Sequence, residues 1–359
     1  MYSEVDPRGD TLIILQDANY HPASPSDTVK EAASENQSEN QSESQSENQF
    51  LVSKKHLMLA SPRAGKVLEG SFKEATPGED GLFRWEFEPI FDPKAFEIVM
   101  KIIHGQTRYI PRKIDLALLS QITAIVDDLE CHHAIWFFAK GWLNQVESLI
   151  PSKICEDLMR WMLVSFVFEE PEIFKKATTT AILYSTDVIP TFNLPIRPKV
   201  LEDMSVKRGN ILSHLFALLS DVEYQLLGES IGCNKGCRAM LLGTLSQGLR
   251  SSSLSPFPSS PYVSLSISST LQKVKAIESL DYYCEEEDIT GQTSGVWILQ
   301  SKPLSRGKRA QMHWLGRNDE PLPSKLGRHK CRLEDHLNRL VDTTTSEIQG
   351  LELAKYLVV

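Results

Sequence analysis

Residues 51–62 read LVSKKHLMLASP, and this stretch decides how the first part of the chain folds. An apolar strand over 50–53 leads directly into a helix, and Ser53 is a residue type that caps helix N-termini. Pro62 disfavours helical geometry in the residue before it, so the pattern predicts a break there and a second helix beginning at Pro62. Gly70 is the expected end of that helix. The stretch therefore predicts one strand followed by two short helices.

The sequence on either side of this stretch adds strands and helices. TLIIL at 11–15 is a short apolar run that predicts a buried strand. LFRWEF at 82–87 alternates apolar and polar residues, as a half-buried strand does. Apolar residues at helical spacing then predict three helices, which begin near residues 92, 114 and 128. The first part of the chain is therefore expected to be an α+β domain.

A low-complexity segment interrupts this pattern between the first two predicted strands. Residues 31–49 read EAASENQSENQSESQSENQ and contain hardly any apolar side chains. Such a segment has too little to bury to offset the entropy of ordering it. A long surface insertion costs little, because loop closure entropy grows only logarithmically with length. Residues 31–49 are therefore predicted to be a disordered insertion.

The second half of the chain, from Pro151 to residue 359, is predicted to be mainly helical. Residues 285–328 have little periodicity and are expected to be irregular. The predicted helices, marked by apolar residues at three- and four-residue steps, cover 155–168, 171–184, 198–227, 238–249 and 266–280, and one more begins near 334.

Composition narrows the functional classes. The 359 residues are 41% hydrophobic and carry a net charge of −9. Residues 1–150 hold 14 Lys and Arg against 23 Asp and Glu, whereas residues 151–359 hold 24 of each. The acidic first half lacks the basic surface that phosphate binding requires, so nucleic acid is not expected as a partner. The acidic N-terminus and the lack of a long apolar run predict an intracellular protein without a membrane span, nucleus or cytoplasm being left open.

The order and text of these elements resemble the BTB/POZ proteins of filamentous fungi. The resemblance implies an α+β BTB/POZ domain over 9–145, which is a small mixed sheet flanked by helices, followed by a helical C-terminal region over 151–359. The matching text is Gly9-Asp10, LVSKKHLMLASP at 51–62, GSFKE at 70–74, FDPKAFEIVMKIIHGQTRYIP at 91–111, IDLALLSQITAIVDDLECHHAIWFFAKGW at 114–142, and, in the second half, Cys233-x-x-x-Cys237 before MLLGTL, His329-Lys-Cys331 and Gly350-Leu351.

The resemblance implies a protein-binding function. BTB domains of this type often recruit a cullin scaffold through a hydrophobic-x-Glu motif after the second helix, and Phe72-Lys73-Glu74 stands at that place. An exposed aromatic ring would supply apolar burial and the carboxylate would fix the register against a basic partner. In the alternative interpretation, Phe72 closes the helix onto the domain core and Glu74 is solvated.

Two features depart from the pattern of the family. Family members commonly have Ser-Pro-x-Phe at the helix break, whereas this chain has Ser61-Pro62-Arg63-Ala64, so an aromatic anchor is missing there. Many animal BTB domains dimerise by exchanging an N-terminal helix and strand. Only eight residues precede Gly9, so a swapped homodimer is not expected.

The cysteines are the remaining candidates for a chemical site. Six cysteines in a chain of this length do not suggest a disulfide framework. Four residues form two close pairs that could bind zinc, namely Cys233 with Cys237 and His329 with Cys331, and Cys284 is a further candidate. The spacings are not the usual two-residue knuckle, and Cys237 leads an apolar helix that suits a buried thiol. Buried thiols are therefore favoured, and no metal or other cofactor is expected.

No catalytic motif is convincing. GESIG at 228–232 matches the G-x-S-x-G pattern, but a nucleophile elbow needs a preceding strand and a long helix is predicted there instead. No enzymatic activity and no small-molecule substrate are therefore predicted. The resemblance to BTB/POZ proteins implies a protein–protein interaction module that acts as a substrate adaptor for a cullin-based ubiquitin ligase. The alternative is a nuclear, transcription-associated scaffold that uses the BTB domain and the basic loop over 302–332.

Overall fold

The computed structural model describes residues 1–16, 47–146, 150–285, 298–300, 326–328 and 330–357. The chain has α+β architecture and divides into two compact units. The first consists of Met1–Thr180, Pro190–Leu201 and Gly350–Val359, and the second consists of Ala181–Ile189 and Glu202–Gln349. This division differs from the one expected at Pro151, because helix α6 (Glu156–Val167) packs against helix α4 (Leu116–Leu129) within the first unit.

A four-stranded mixed sheet lies in the first unit. In order across the sheet, its strands are β1 (Tyr2–Glu4), β3 (Asn48–Val52), β2 (Thr11–Leu15) and β4 (Phe83–Phe87). Strand β2 runs antiparallel to β3 and parallel to β4, and all five of its residues are buried. This explains why TLIIL reads as an uninterrupted apolar run: both faces of the strand are covered.

Two features of this sheet differ from the sequence prediction. Strand β3 begins at Asn48, so its first two residues fall inside the predicted insertion over 31–49. Asn48 and Gln49 pair with the last two residues of β2. Their strand conformation comes from this pairing and could not be predicted from their polar side chains. Strand β1 was not predicted, because its three residues contain no apolar run; it is held by parallel pairing with β3. Residues 31–46 lie outside the described residues.

The helix pair after β3 forms as predicted. Helix α1 (Lys54–Ala60) ends before Pro62, and helix α2 (Pro62–Glu69) begins there and ends at Gly70. Ser61 caps α2, since its Oγ accepts a hydrogen bond from Ala64 N at 2.9 Å. The same hydroxyl donates to the carbonyl of Leu129 at the end of α4, and Ser61 is fully buried. The Ser61 side chain therefore caps the second helix of the pair and also attaches the helix break to the end of α4.

The prediction that the Ser53 side chain caps helix α1 is wrong. Ser53 occupies the N-cap position, but its side chain makes no capping hydrogen bond. Asp10, just ahead of β2, accepts a hydrogen bond from Lys54 N at 2.7 Å. The Ser53 N–H is bound instead by His104 Nε2 at 2.9 Å. The first turn is therefore capped by residues distant in sequence, which local patterns do not reveal.

The later helices of the first unit follow the prediction with one shift. Asp128 belongs to the last turn of α4, not to the start of the next helix, because Glu130 takes a left-handed conformation with φ of 55° and ends α4. After the helix pair, the first unit contains α4, α6, α3 (Pro93–Ile103) and α5 (His132–Val146). Helix α7 (Pro171–Tyr184) begins in this unit and ends in the second.

An aromatic cluster joins the sheet to helix α3. The Phe96 ring lies 5.4 Å from the Phe50 ring of β3 and 5.6 Å from the Phe87 ring of β4. All three side chains are buried, and such ring pairs add about 0.5–1.5 kcal/mol each beyond their area burial. This cluster forms the core beneath the sheet.

The second unit is built on the long helix α8. Its helices are α8 (Pro198–Leu227, from Glu202 onward), α9 (Lys235–Ser251), α10 (Ile267–Lys275) and α11 (Leu333–Glu347). A three-stranded antiparallel sheet has the order β6 (Ile298–Gln300), β5 (Asp281–Glu285) and β7 (Leu326–Arg328), so two three-residue strands lie within the stretch 285–328 that was expected to be mostly irregular. These short strands lack the alternation that predicts a sheet from sequence.

A buried arginine holds the loop after α9 against α8. The Arg208 guanidinium donates hydrogen bonds to the carbonyls of Leu265 at 2.8 Å, Tyr262 at 3.2 Å and Pro261 at 3.3 Å, and to that of Thr186 at 3.2 Å. Burial lowers the pKa of Arg208 from its ordinary value. The arginine thus satisfies carbonyls of a segment that has no regular structure of its own.

Substitution of the buried Ser61 tests the helix break. Ser61→Ala removes a helix cap and leaves the Leu129 carbonyl without this donor, so we expect the free energy of unfolding to fall by about 1–2 kcal/mol. Urea denaturation followed by circular dichroism measures the change. The exposed Ser71→Ala is the matched control and should lie within about 0.5 kcal/mol of the unsubstituted chain. Equal stability of both variants contradicts the role given to Ser61.

His104 gives the first unit a pH dependence. Its Nε2 accepts from Ser53 N, and its Nδ1 lies 2.8 Å from the Met100 carbonyl oxygen, so Nδ1 carries the proton. Burial, and to a lesser degree the nearby His56, lowers the pKa of His104 below its ordinary value of 6.5. The folded chain therefore resists protonation of this ring.

Stability should consequently fall as the pH drops below about 6.5, because the unfolded chain then takes up a proton that the folded chain refuses. We expect His104→Gln to flatten the slope of unfolding free energy between pH 7 and pH 5. Denaturation series at several pH values measure this slope, and the exposed His133→Gln serves as control. The role of His104 is wrong if its replacement leaves the slope unchanged.

Candidate functional sites

The segment after helix α2 presents an aromatic side chain to solvent. Phe72 lies between α2 and a short 3-10 helix over Lys73–Ala75, and it is 56% exposed. Its ring covers the end of α2, where a Cβ on Gly70 would lie only 3.1 Å from Phe72 Cδ2. The alternative in which Phe72 closes onto the core does not match this exposure. The Phe72 ring therefore lies beside the end of α2, and more than half of the residue is exposed to solvent.

The two residues after Phe72 lie on the same surface segment. Lys73 is exposed and its Nζ lies 3.9 Å from a carboxylate oxygen of Glu86 on β4. An exposed pair at this distance contributes little energy, but it links the segment to the sheet. Glu74 is half-buried and lies in the first turn of the 3-10 helix. An apolar ring and a carboxylate are therefore presented two residues apart.

Arg63 and Ala64 follow the helix break, in the first turn of α2. Ala64 is fully buried. The Arg63 guanidinium lies 5.7 Å from the Trp85 ring and 5.8 Å from the Phe87 ring, and it pairs with Asp128. Arg63 thus places a cation beside two aromatic rings of β4 at the helix break.

A second exposed surface, which was not predicted from sequence, is an open groove beside helix α5. Its volume is about 650 Å³. Trp136 and Phe137 are 54% and 77% exposed. Tyr109, in the 3-10 helix Thr107–Tyr109, lies between two lining residues in sequence and is 72% exposed. The residues that line the groove are Thr107, Arg108, Ile110, Pro111, Arg112, Trp136, Phe137, Phe138, Lys140, Gly141, Trp142 and Asn144.

Two hydrogen bonds join helix α5 to residues 107–112 beside the groove. Trp142 Nε1 donates to the Pro111 carbonyl at 2.9 Å, and Gln145 Nε2 donates to the Arg112 carbonyl at 3.1 Å. Clustered exposed aromatic side chains with arginine beside them are typical of protein-binding surfaces. The signal in the sequence was WFF at 136–138, which breaks the amphipathic pattern of α5 by placing large apolar residues on its outer face.

The cysteine candidates come together in part. The sulfur atoms of Cys233, Cys237 and Cys331 all lie within 4.8 Å of one another. His329 lies outside the described residues, and of Cys284 only the backbone, in β5, is described. Three of the five candidate ligands therefore meet at one point in the second unit.

One of the two remaining sequence features, GESIG at 228–232, has an ordinary structural setting. GESIG at 228–232 follows the 30-residue helix α8 directly, so Ser230 does not stand on a strand-to-helix turn. The basic stretch over 302–332 lies almost wholly outside the described residues. Within the part of the chain that the structure describes, no helix is long and apolar enough to cross a membrane.

Comparisons of this chain with protein-family models, with curated proteins and with solved structures find no match.

Proposed function

We propose that the first unit is a protein-binding module of the BTB/POZ type and that the chain is a substrate adaptor for a cullin-based ubiquitin ligase. The observation that carries the proposal is the exposure of Phe72 two residues before Glu74, directly after the second helix of the pair. An aromatic ring that is held in place yet uncovered loses little conformational entropy on binding and gains apolar burial. The proposed role is one of binding, without catalysis.

The arrangement of the first unit supports the BTB/POZ assignment. A small mixed sheet is followed by a helix pair broken at Ser61-Pro62, then by strand β4 and helices α3 to α5. This is the order that the sequence resemblance implies. Helix α2 contacts both α4 and the 3-10 helix that follows Phe72, so the motif sits on a packed support.

An adaptor needs two separate surfaces, one for the scaffold and one for the substrate. The Phe72 segment follows α2, whereas the groove with Trp136 and Phe137 is formed by α5 and residues 107–112. The two surfaces share no residue. We assign the Phe72 segment to the cullin and the groove to the substrate protein.

Substitutions in the motif test the cullin assignment. We expect Phe72→Ala to weaken binding to a purified cullin scaffold at least about tenfold, since a central aromatic anchor commonly contributes 2 kcal/mol or more. Glu74→Lys should weaken it further, because it places a cation against a basic partner. Isothermal titration of the full chain against a panel of purified cullins measures both affinities.

Two variants of the same unit control for indirect effects. Ile90 is 66% exposed and Glu79 is an exposed acid, so Ile90→Ala and Glu79→Lys match the two changes in chemistry. Both controls should bind as the unsubstituted chain does. If no cullin binds, or if the motif variants and the controls bind equally, the assignment of Phe72 and Glu74 fails.

A further inference from the structure

Three cysteines from two distant chain segments meet in the second unit. Cys233 and Cys237 stand on either side of the start of helix α9, and Cys331 stands two residues before helix α11. Cys237 is buried, Cys331 is half-buried and Cys233 is exposed. Burial as small apolar residues would account for Cys237, but it does not account for two further thiols converging on it from the surface.

The loop that carries Cys233 is shaped to bring its sulfur toward Cys237. Gly232 has φ of 92°, a conformation that L-residues rarely adopt. A Cβ on Gly232 would lie 3.3 Å from Cys237 Sγ and 2.8 Å from Arg238 Cγ. Glycine therefore meets two demands at this position, a left-handed backbone and a close approach to the cysteine cluster.

The start of helix α9 is fixed around Cys237. Asn234 caps the helix, since its Oδ1 accepts from Cys237 N at 2.9 Å. Glu229 pairs with Arg238 at 2.5 Å, which ties the beginning of the loop to the first turn of α9.

The segment that carries Cys331 is anchored independently. Ser279 Oγ accepts a hydrogen bond from Leu333 N at 2.7 Å, and Ser279 N donates to a carboxylate oxygen of Glu334 at 2.9 Å. Arg332 pairs with the same carboxylate at 3.2 Å. These contacts hold the chain at residues 331–334 in one place, so both halves of the cysteine cluster rest on fixed backbone.

The sulfur geometry suits a tetrahedral thiolate site. At a Zn–S bond of about 2.3 Å, two thiolates of a tetrahedral centre lie about 3.8 Å apart. The three sulfurs of this chain are within 4.8 Å of one another, so shifts of up to about an ångström would bring them to three corners of such a tetrahedron. Cys233-x-x-x-Cys237 is within the two-to-four-residue spacing seen for zinc ligand pairs.

We propose that Cys233, Cys237 and Cys331 bind a zinc ion as thiolates, with water as the fourth ligand. Soft thiolate donors favour zinc over Mg²⁺, Ca²⁺ or Mn²⁺. On binding, each thiol loses its proton to solvent, and the dication offsets two of the three negative charges that result. The ion joins the start of α9 to the start of α11 and so closes the long stretch of chain between them.

The zinc content of the purified full chain tests the proposal. We expect about one zinc per chain by mass spectrometry of the metals, and the same for Cys155→Ser, which changes a half-buried cysteine of the first unit. Cys233→Ser and Cys331→Ser should weaken zinc affinity at least about 100-fold. Because neither residue is in the core, circular dichroism should show an unchanged helix content in both variants.

Cobalt(II) titration gives an independent readout. The reduced, metal-free chain should take up one Co²⁺ and develop the absorption of a tetrahedral cobalt–thiolate centre, with lower charge-transfer intensity in Cys233→Ser. Zinc addition should raise the melting temperature of the unsubstituted chain and of Cys155→Ser. The proposal is overturned if the reduced chain binds neither Zn²⁺ nor Co²⁺ at micromolar concentration, or if Cys233→Ser binds them as tightly as the unsubstituted chain. A cullin complex that forms in metal-free protein would leave the proposed function intact, so the two proposals fail separately.

Discussion

The hydroxyl of Ser61 is the contact on which the first unit depends. It accepts a hydrogen bond from Ala64 N and donates one to the Leu129 carbonyl, so it caps α2 and fixes that helix to the end of α4. Pro62 prevents α1 from continuing through this point, because it disfavours helical geometry in the residue before it. One buried side chain and one proline therefore fix the start of α2, the helix that Phe72 follows.

The first unit combines a firmly packed core with two uncovered apolar surfaces. The Phe50, Phe87 and Phe96 rings join the sheet to α3, while Phe72 and the aromatic residues of α5 remain exposed. Exposed aromatic clusters on a stable scaffold lower solubility unless a partner covers them. Their presence on one unit is the physical reason to favour a binding role for it.

Elements whose causes are local could be predicted from the sequence. Pro171 and Pro198 begin α7 and α8, and both helices end at the residues expected from their apolar periodicity. Asp92 caps α3 by accepting from Ala95 N at 2.8 Å, in agreement with the Asp-Pro signal. Proline and capping residues act within a single turn, so their effect is visible in the sequence alone.

Features that depend on distant residues could not be predicted in the same way. Strand β1 exists through its pairing with β3, and α1 is capped by Asp10 rather than by Ser53. The three cysteines are a similar case, since Cys237 and Cys331 are separated by more than ninety residues and their meeting depends on the path of the intervening chain. Their spacing favoured buried thiols, and only the arrangement in space favours a metal site. Phe72-Lys73-Glu74 could be found from sequence, whereas the exposure of its ring could not.

Site-specific photocrosslinking is the most direct test of the proposed binding surface. A photoreactive phenylalanine analogue is placed at Phe72 of the full chain, or at Ile90 as a control, and irradiated with a purified cullin scaffold. A covalent complex from position 72, and none from position 90, is the predicted result. A complex with a cullin that forms without any crosslink from position 72 would contradict the assignment of Phe72 to the interface.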